Sequence, residues 1–202
     1  MNILSKDRII VSLISYLFLI LVIILSNKLL SYEYVLSISA SVMILIPILL
    51  KKDEPFFAIN AKGFINGILL SALIFALYIL IVYFLPLSFG NDLNFTKITF
   101  SLLFINLFLV ALPEELFFRG YLQKQFGNNL YSVFIVSILF AFAHFITVCV
   151  FKGGGLFVCS VNVLTFFPSL VMGYLYLKTK TLWSSVFFHF AANIVHLIVL
   201  SG

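Results

Sequence analysis

Charge is scarce in this chain. Of its 202 residues only 9% are Asp, Glu, Lys or Arg, while 63% are hydrophobic and 17% aromatic, and the mean hydropathy is +1.23. A soluble domain is about a quarter charged and half apolar, so that class is excluded and a polytopic membrane protein is indicated. The length accommodates about seven spans of roughly 20 residues each, with no separate soluble domain. Basic residues are scattered over the ends of apolar stretches rather than gathered in a patch, which excludes a nucleic-acid partner and leaves the lipid bilayer as the surroundings. Cysteine is nearly absent. Cys149 and Cys159 form neither a CxxC pair nor a secreted framework, and are read as buried apolar residues rather than a disulfide. There is no internal repeat and no low-complexity tract. Lys6 and Arg8 precede an apolar run, but Ile9 to Leu25 is long for a signal sequence and no A-x-A site follows, so a retained first span is expected.

What is present is a series of apolar stretches, at Ile9–Leu30, Tyr34–Leu50, Phe64–Leu85, Ile98–Phe118, Leu130–Phe151, Leu156–Leu177 and Leu182–Leu200. None alternates with the period of a barrel strand, and only helices and closed barrels satisfy the backbone in lipid. The fold class is therefore all-α, a polytopic helix bundle of about seven transmembrane helices. Breaks are expected at Lys51–Pro55, Pro86–Asn94, Gly127–Asn129, Lys152–Gly155 and Lys178–Lys180, and the sixth stretch is open to division into a re-entrant piece and a span. With the N-terminus in the cytoplasm, the inner side holds nine basic residues: Lys6, Arg8, Lys51, Lys52, Lys62, Arg119, Lys124, Lys178 and Lys180. The outer side holds three, Lys28, Lys97 and Lys152. That bias predicts a cytoplasmic N-terminus and, with seven spans, an outside C-terminus in the cell membrane.

Acidic residues are rarer still. Five of the seven, Asp7, Glu33, Asp53, Glu54 and Asp92, lie near segment ends or in loops. Glu114 and Glu115 lie inside an apolar run, where an ionised carboxylate costs several kcal/mol and marks a functional site by default. Glu115 and Arg119 are four apart, in the order that suits a helical ion pair. Glu114 points about 100° away from Glu115, so the two are free to do different work, and Pro113 removes a backbone hydrogen bond just ahead of them. The fifth stretch carries His144 one turn after Phe140, and the seventh carries His189, Asn193 and His196 on one face. Helical rise brings Glu114, His144 and His189 to similar depth in a core about 30 Å thick. Glu with His can deprotonate a water or hold a metal, and Asn with His can donate to an oxyanion. Each piece also has a structural reading: an ion pair supporting the helix bend, interhelical hydrogen bonds from the histidines and Asn193, and simple packing for Phe140. His196 takes the structural reading.

Glu114-Glu115-Leu-Phe-Phe-Arg119, Phe140-Ala-Phe-Ala-His144 and His189-Phe-Ala-Ala-Asn193, in that order, resemble the three motifs of the CAAX-protease and bacteriocin-processing (CPBP, Abi) family. These are intramembrane endopeptidases related to the type II CAAX prenyl endopeptidases. The resemblance covers residues 100–200, so 98–202 is expected to be the catalytic helical core and 1–97 to supply three spans without a motif. It implies that Glu114 and His144 activate the attacking water, that His189 and Asn193 stabilise the oxyanion, and that Glu115 and Arg119 support the site. It also implies a cavity open toward the cytoplasmic side.

The cofactor is left open. In one arrangement Glu114, His144 and His189 ligate a catalytic Zn²⁺. In the other no metal is used and His189 joins Asn193 as a donor pair, the arrangement that their shared helix face favours. The substrate is expected to be a peptide or membrane protein. Abundant Ile, Lys, Asn, Phe and Tyr point to a bacterial source, where the resemblance implies peptide processing or self-immunity to bacteriocins. Two other classes compete: a non-catalytic immunity or partner-binding membrane protein, and an ion-coupled transporter using Glu114 and His144 as a relay, which the missing repeat symmetry disfavours.

Overall fold

The computed structural model describes residues 3–50, 60–84, 98–151 and 155–200. The expected breaks at Lys51–Pro55 and Pro86–Asn94, Lys97 and Lys152 of the charge bias, and Gly202 lie outside them. The described residues are helical throughout, with no strand. In order they form α1 (Ile3–Leu29), α2 (Tyr32–Leu50), α3 (Ala61–Phe84), α4 (Phe100–Gln123), α5 (Leu130–Phe145, continuing as a π-helical segment Ile146–Phe151), α6 (Leu156–Val163), α7 (Phe166–Thr179) and α8 (Leu182–Leu200). Four of them hold segments long and apolar enough to cross a membrane: Asp7–Leu29, Tyr32–Leu50, Phe100–Gln123 and Leu130–Cys149. Ala61–Leu77 and Leu182–Ile198 are apolar but shorter. The chain is a helical membrane bundle.

Large apolar side chains cover the outside as well as the inside. Ile14, Leu17 and Phe18 of α1 are exposed while Tyr16, Leu19 and Ile20 are buried, so hydrophobicity alone does not separate the faces. Small and polar residues do. On α3, Gly63 and Gly67 stand one turn apart, and a Cβ at Gly67 would run into the side chain of Ser184 on α8. The close approach lets Ser184 Oγ donate to the Gly63 carbonyl at 3.2 Å, the small-xxx-small packing by which membrane helices associate. At the same end Asn60 accepts from the Gly63 N–H and reaches the Thr179 carbonyl with its Nδ2. Tyr16 of α1 donates to the Leu139 carbonyl of α5 at 2.8 Å.

The centre belongs to α4, whose residues from Leu116 to Gln123 are all buried, with α2, α5, α7 and α8 against it. The turn that follows is built by Gly127 (φ 106°) and Asn128 (φ 46°). Asn129 then caps α5: its Oδ1 accepts from Ser132 N at 2.9 Å while its own N–H donates to Ser132 Oγ at 2.8 Å. Lys180, left-handed at φ 59°, closes α7. The breaks expected at Gly127–Asn129 and Lys178–Lys180 fall at these turns.

The structure settles one open point and corrects one reading. The sixth apolar stretch is divided into two helices, and α7 at 14 residues is only about 21 Å long. Pro168 is the cause: it lacks an N–H, and its ring would meet the Leu164 carbonyl of a continuous helix. The chain turns there instead, with Thr165 Oγ1 donating to Asn162 O. Cys149 and Cys159 form a disulfide with Cα atoms 5.4 Å apart, correcting the reading of two separate apolar thiols. Ten residues apart in sequence, they stand at a separation that a disulfide spans.

Candidate active site

The site is assembled where α4 passes α5, α7 and α8. The helix widens around Pro113: π-helical bonding runs from Asn106 to Ala111 and again from Leu116 to Gln123, on either side of Leu112–Glu115. Such turns concentrate at functional sites. In an unbroken α-helix Asn106 and Glu114 would lie about 80° apart. The extra residue of one π turn removes about 100° of that phase and leaves them within roughly 20°. Asn106 and Glu114 therefore share the face turned to α8.

The two adjacent glutamates live in different surroundings. Glu115 is completely buried. Its Oε1 accepts from Arg119 Nη1 at 2.9 Å and lies 2.9 Å from His189 Nδ1. Arg119, equally buried, also donates through Nη2 to both the carbonyl (3.1 Å) and the hydroxyl (2.7 Å) of Ser169 on α7. Charge pairing plus hydrogen bonds to the remaining protons is what a buried guanidinium requires. Glu114, by contrast, keeps 16% of its side chain exposed. Its Oε2 lies 3.7 Å from His189 Nε2 and 3.9 Å from His144 Nε2, too far for direct hydrogen bonds, and that oxygen has no hydrogen-bond partner.

The tautomers follow from the partners. His144 Nδ1 lies 3.1 Å from the Phe140 carbonyl, which can only accept, so Nδ1 carries the hydrogen and Nε2 presents a lone pair toward Glu114. His189 Nδ1 donates to Glu115, again leaving Nε2 turned to Glu114. Phe140 organises the group from below. Its ring stacks on His144 (4.3 Å), meets His189 edge-on (5.8 Å) and lies 4.8 Å from the Arg119 guanidinium carbon. A residue expected only to pack thus touches three members of the site.

Glu114, Glu115, Arg119, His144 and His189 are brought together. Asn193 stands on the same α8 face, but its hydrogen bond runs from Nδ2 to Asn106 Oδ1 at 2.9 Å. His196 is exposed. Sequence reasoning missed Ser169 and Asn106. A single Ser or Asn in an apolar helix carries no signal of its own, and their partners lie 50 and 87 residues away. Among the described residues, no three His, Cys, Asp or Glu side chains are grouped to hold a metal ion. The Glu114–imidazole separations exceed the roughly 3.4 Å between ligands of a tetrahedral zinc with 2.0–2.1 Å bonds. The set expected for zinc does not fit it in this arrangement; a gap of this width between polar atoms suits a bridging water.

Glu114, Glu115, Arg119, His144 and His189 thus form one polar cluster inside a bundle of membrane helices. The family described as type II CAAX prenyl endopeptidase Rce1-like matches residues 95–195, half of the chain, and the chain belongs to that family. No curated protein and no solved structure matches it.

Proposed function

We propose that this protein is an intramembrane endopeptidase that activates water with Glu114 and His144 and cleaves peptide bonds of membrane-associated or peptide substrates. The observation that carries the reading is the division of labour between neighbouring carboxylates. Glu115 is fully buried with its Oε1 held by Arg119 and His189, whereas Glu114 is partly exposed and turns an unpartnered Oε2 to both imidazoles. A water between Glu114 Oε2 and His144 Nε2 loses a proton to Glu114 as its oxygen bonds to the scissile carbonyl carbon. Glu114 passes that proton to His189 Nε2, and Glu115 stabilises the resulting imidazolium through Nδ1–H. Nε2–H then donates to the oxyanion beside the amide of Asn193. As the carbon–nitrogen bond breaks, the proton moves to the leaving amine. General acid–base assistance of this kind is worth about 10²–10⁴-fold.

In this scheme residues 98–202 are the catalytic core and 1–97 its scaffold. The cell membrane holds the chain with about seven spans, the N-terminus inside and the C-terminus outside. The Cys149–Cys159 bridge supports that orientation, since disulfides persist in oxidising compartments and the basic bias assigns this end of α5 to the outer side. The substrates are peptides of a bacterial host, in peptide processing or self-immunity. The chemistry runs without a metal: purified protein should carry no stoichiometric zinc, and about one zinc per chain, lost in His189→Ala but kept in Asn193→Ala, would overturn this.

The test compares membrane peptides from cells carrying the wild-type protein with those from cells carrying Glu114→Gln, which keeps the shape and removes the base. Cleavage products present only with the wild type are expected. Identical peptide sets from equally expressed proteins would leave the non-catalytic partner-binding reading in place.

A further inference from the structure

We propose that Asn106, eight residues ahead of the first motif, is a positioning residue that sets which end of the Asn193 amide faces the reaction. The inference rests on the endopeptidase reading and names a residue that reading does not use. Asn106 is buried in a stretch of α4 whose neighbours Phe104, Ile105 and Phe108 are exposed apolar residues. It is the first residue of the π-helical segment, whose extra residue brings it to the face of Glu114. Its Oδ1 accepts from Asn193 Nδ2 at 2.9 Å.

The pairing answers a problem that a carboxamide poses. Asn presents NH₂ or C=O with nearly the same shape, and only NH₂ stabilises an oxyanion; the carbonyl end repels it. With Oδ1 of Asn106 turned to it, Asn193 commits one amide hydrogen there and keeps its NH₂ end in place. The second amide hydrogen remains for the substrate. Without Asn106, Asn193 can turn over and present its oxygen. Glu115 does the equivalent for His189, so each of the two α8 donors is oriented by one residue of α4. Interhelical adhesion alone would need neither a particular donor direction nor coupling to the rate.

The test uses full-length protein in detergent and an internally quenched fluorescent peptide spanning a cleavage site mapped by the peptide comparison above. Asn106→Leu should lower kcat about 10²-fold, the loss expected for one oxyanion donor, with KM within twofold. Asn106→Asp keeps the acceptor and should recover to within tenfold of wild type. Asn193→Ala should lose as much as Asn106→Leu, and combining the two should add nothing, because Asn106 acts only through Asn193. A wild-type kcat in Asn106→Leu overturns the proposal while leaving the endopeptidase reading intact. So does a further loss when Asn106→Leu is added to Asn193→Ala. Full activity in Asn193→Ala overturns the proposal together with the oxyanion role of Asn193, while the endopeptidase reading stands. A readout independent of cleavage is the side-chain amide of Asn193 in protein labelled with ¹⁵N-asparagine, assigned by its disappearance in Asn193→Ala. Its resonances should shift in Asn106→Leu even if folding of that variant is slightly weakened, and an unchanged position would show that the pair does not form.

Discussion

The first three helices and the last five differ in the polar residues they carry and in how far those reach. In α1 to α3 most hydroxyls turn back onto their own helix: Ser15 donates to Val11, Ser26 to Val22 and Ser71 to Gly67, each four residues back. Such bonds satisfy the group within the helix and leave nothing to react. In α4 to α8 hydroxyls also turn back, Ser137 to Val133 and Thr179 to Leu175, but the Arg, His and Asn side chains bond between helices, from Arg119 to Ser169, from His189 to Glu115 and from Asn193 to Asn106. Crossing bonds of the first region, from Tyr16 to Leu139, between Ser15 and Tyr121 and from Ser184 to the Gly63 carbonyl, join it to α5, α4 and α8. One region is a packing surface and the other a preorganised polar network.

That contrast breaks at different places with different force. The largest effect belongs to the network. Arg119→Ala strands Glu115 without its cation and frees two acceptors on Ser169, and breaking a buried pair from one side costs about 3–5 kcal/mol. A steep fall in thermal stability in detergent is expected, together with loss of activity; an equally stable but inactive variant would instead assign Arg119 to substrate. On the packing side, Gly67→Leu forces a side chain into Ser184, whose Cα would lie 3.1 Å from the new Cβ. Overpacking of this kind costs about 1–3 kcal/mol, measured as a lowered melting temperature with the cleavage rate per folded molecule retained. The smallest effect is at a surface turn. Asn129→Ala removes the cap of α5 and should cost about 1 kcal/mol without changing the rate; a large loss of activity there would mean that His144 depends on the start of its helix.

How much of this was legible in the sequence follows from the same contrast. Local relations were readable: the helical class, the turns at Gly127–Asn129 and Lys178–Lys180, and the Glu115–Arg119 pair four residues apart. The motifs that carry the family were readable as well. Relations across helices were not, because an apolar helix surface carries no phase that says which side faces a neighbour. Ser169, Asn106 and the π-helical turns were invisible for that reason. The division of the sixth stretch was open, and Pro168 is the residue that decides it. The disulfide was misread because nothing in the spacing of Cys149 and Cys159 marks that the two meet.

The central claim is that two adjacent glutamates have separate duties, one in chemistry and one in structure. It is tested most directly by measuring cleavage rate and melting temperature side by side for Glu114→Gln and Glu115→Gln. The account predicts that Glu114→Gln melts like the wild type and loses about 10²–10⁴-fold in kcat, while Glu115→Gln, deprived of the charge that balances Arg119, melts well below it. A Glu114→Gln protein that cleaves at the wild-type rate, or a Glu115→Gln protein as stable as the wild type, would contradict it.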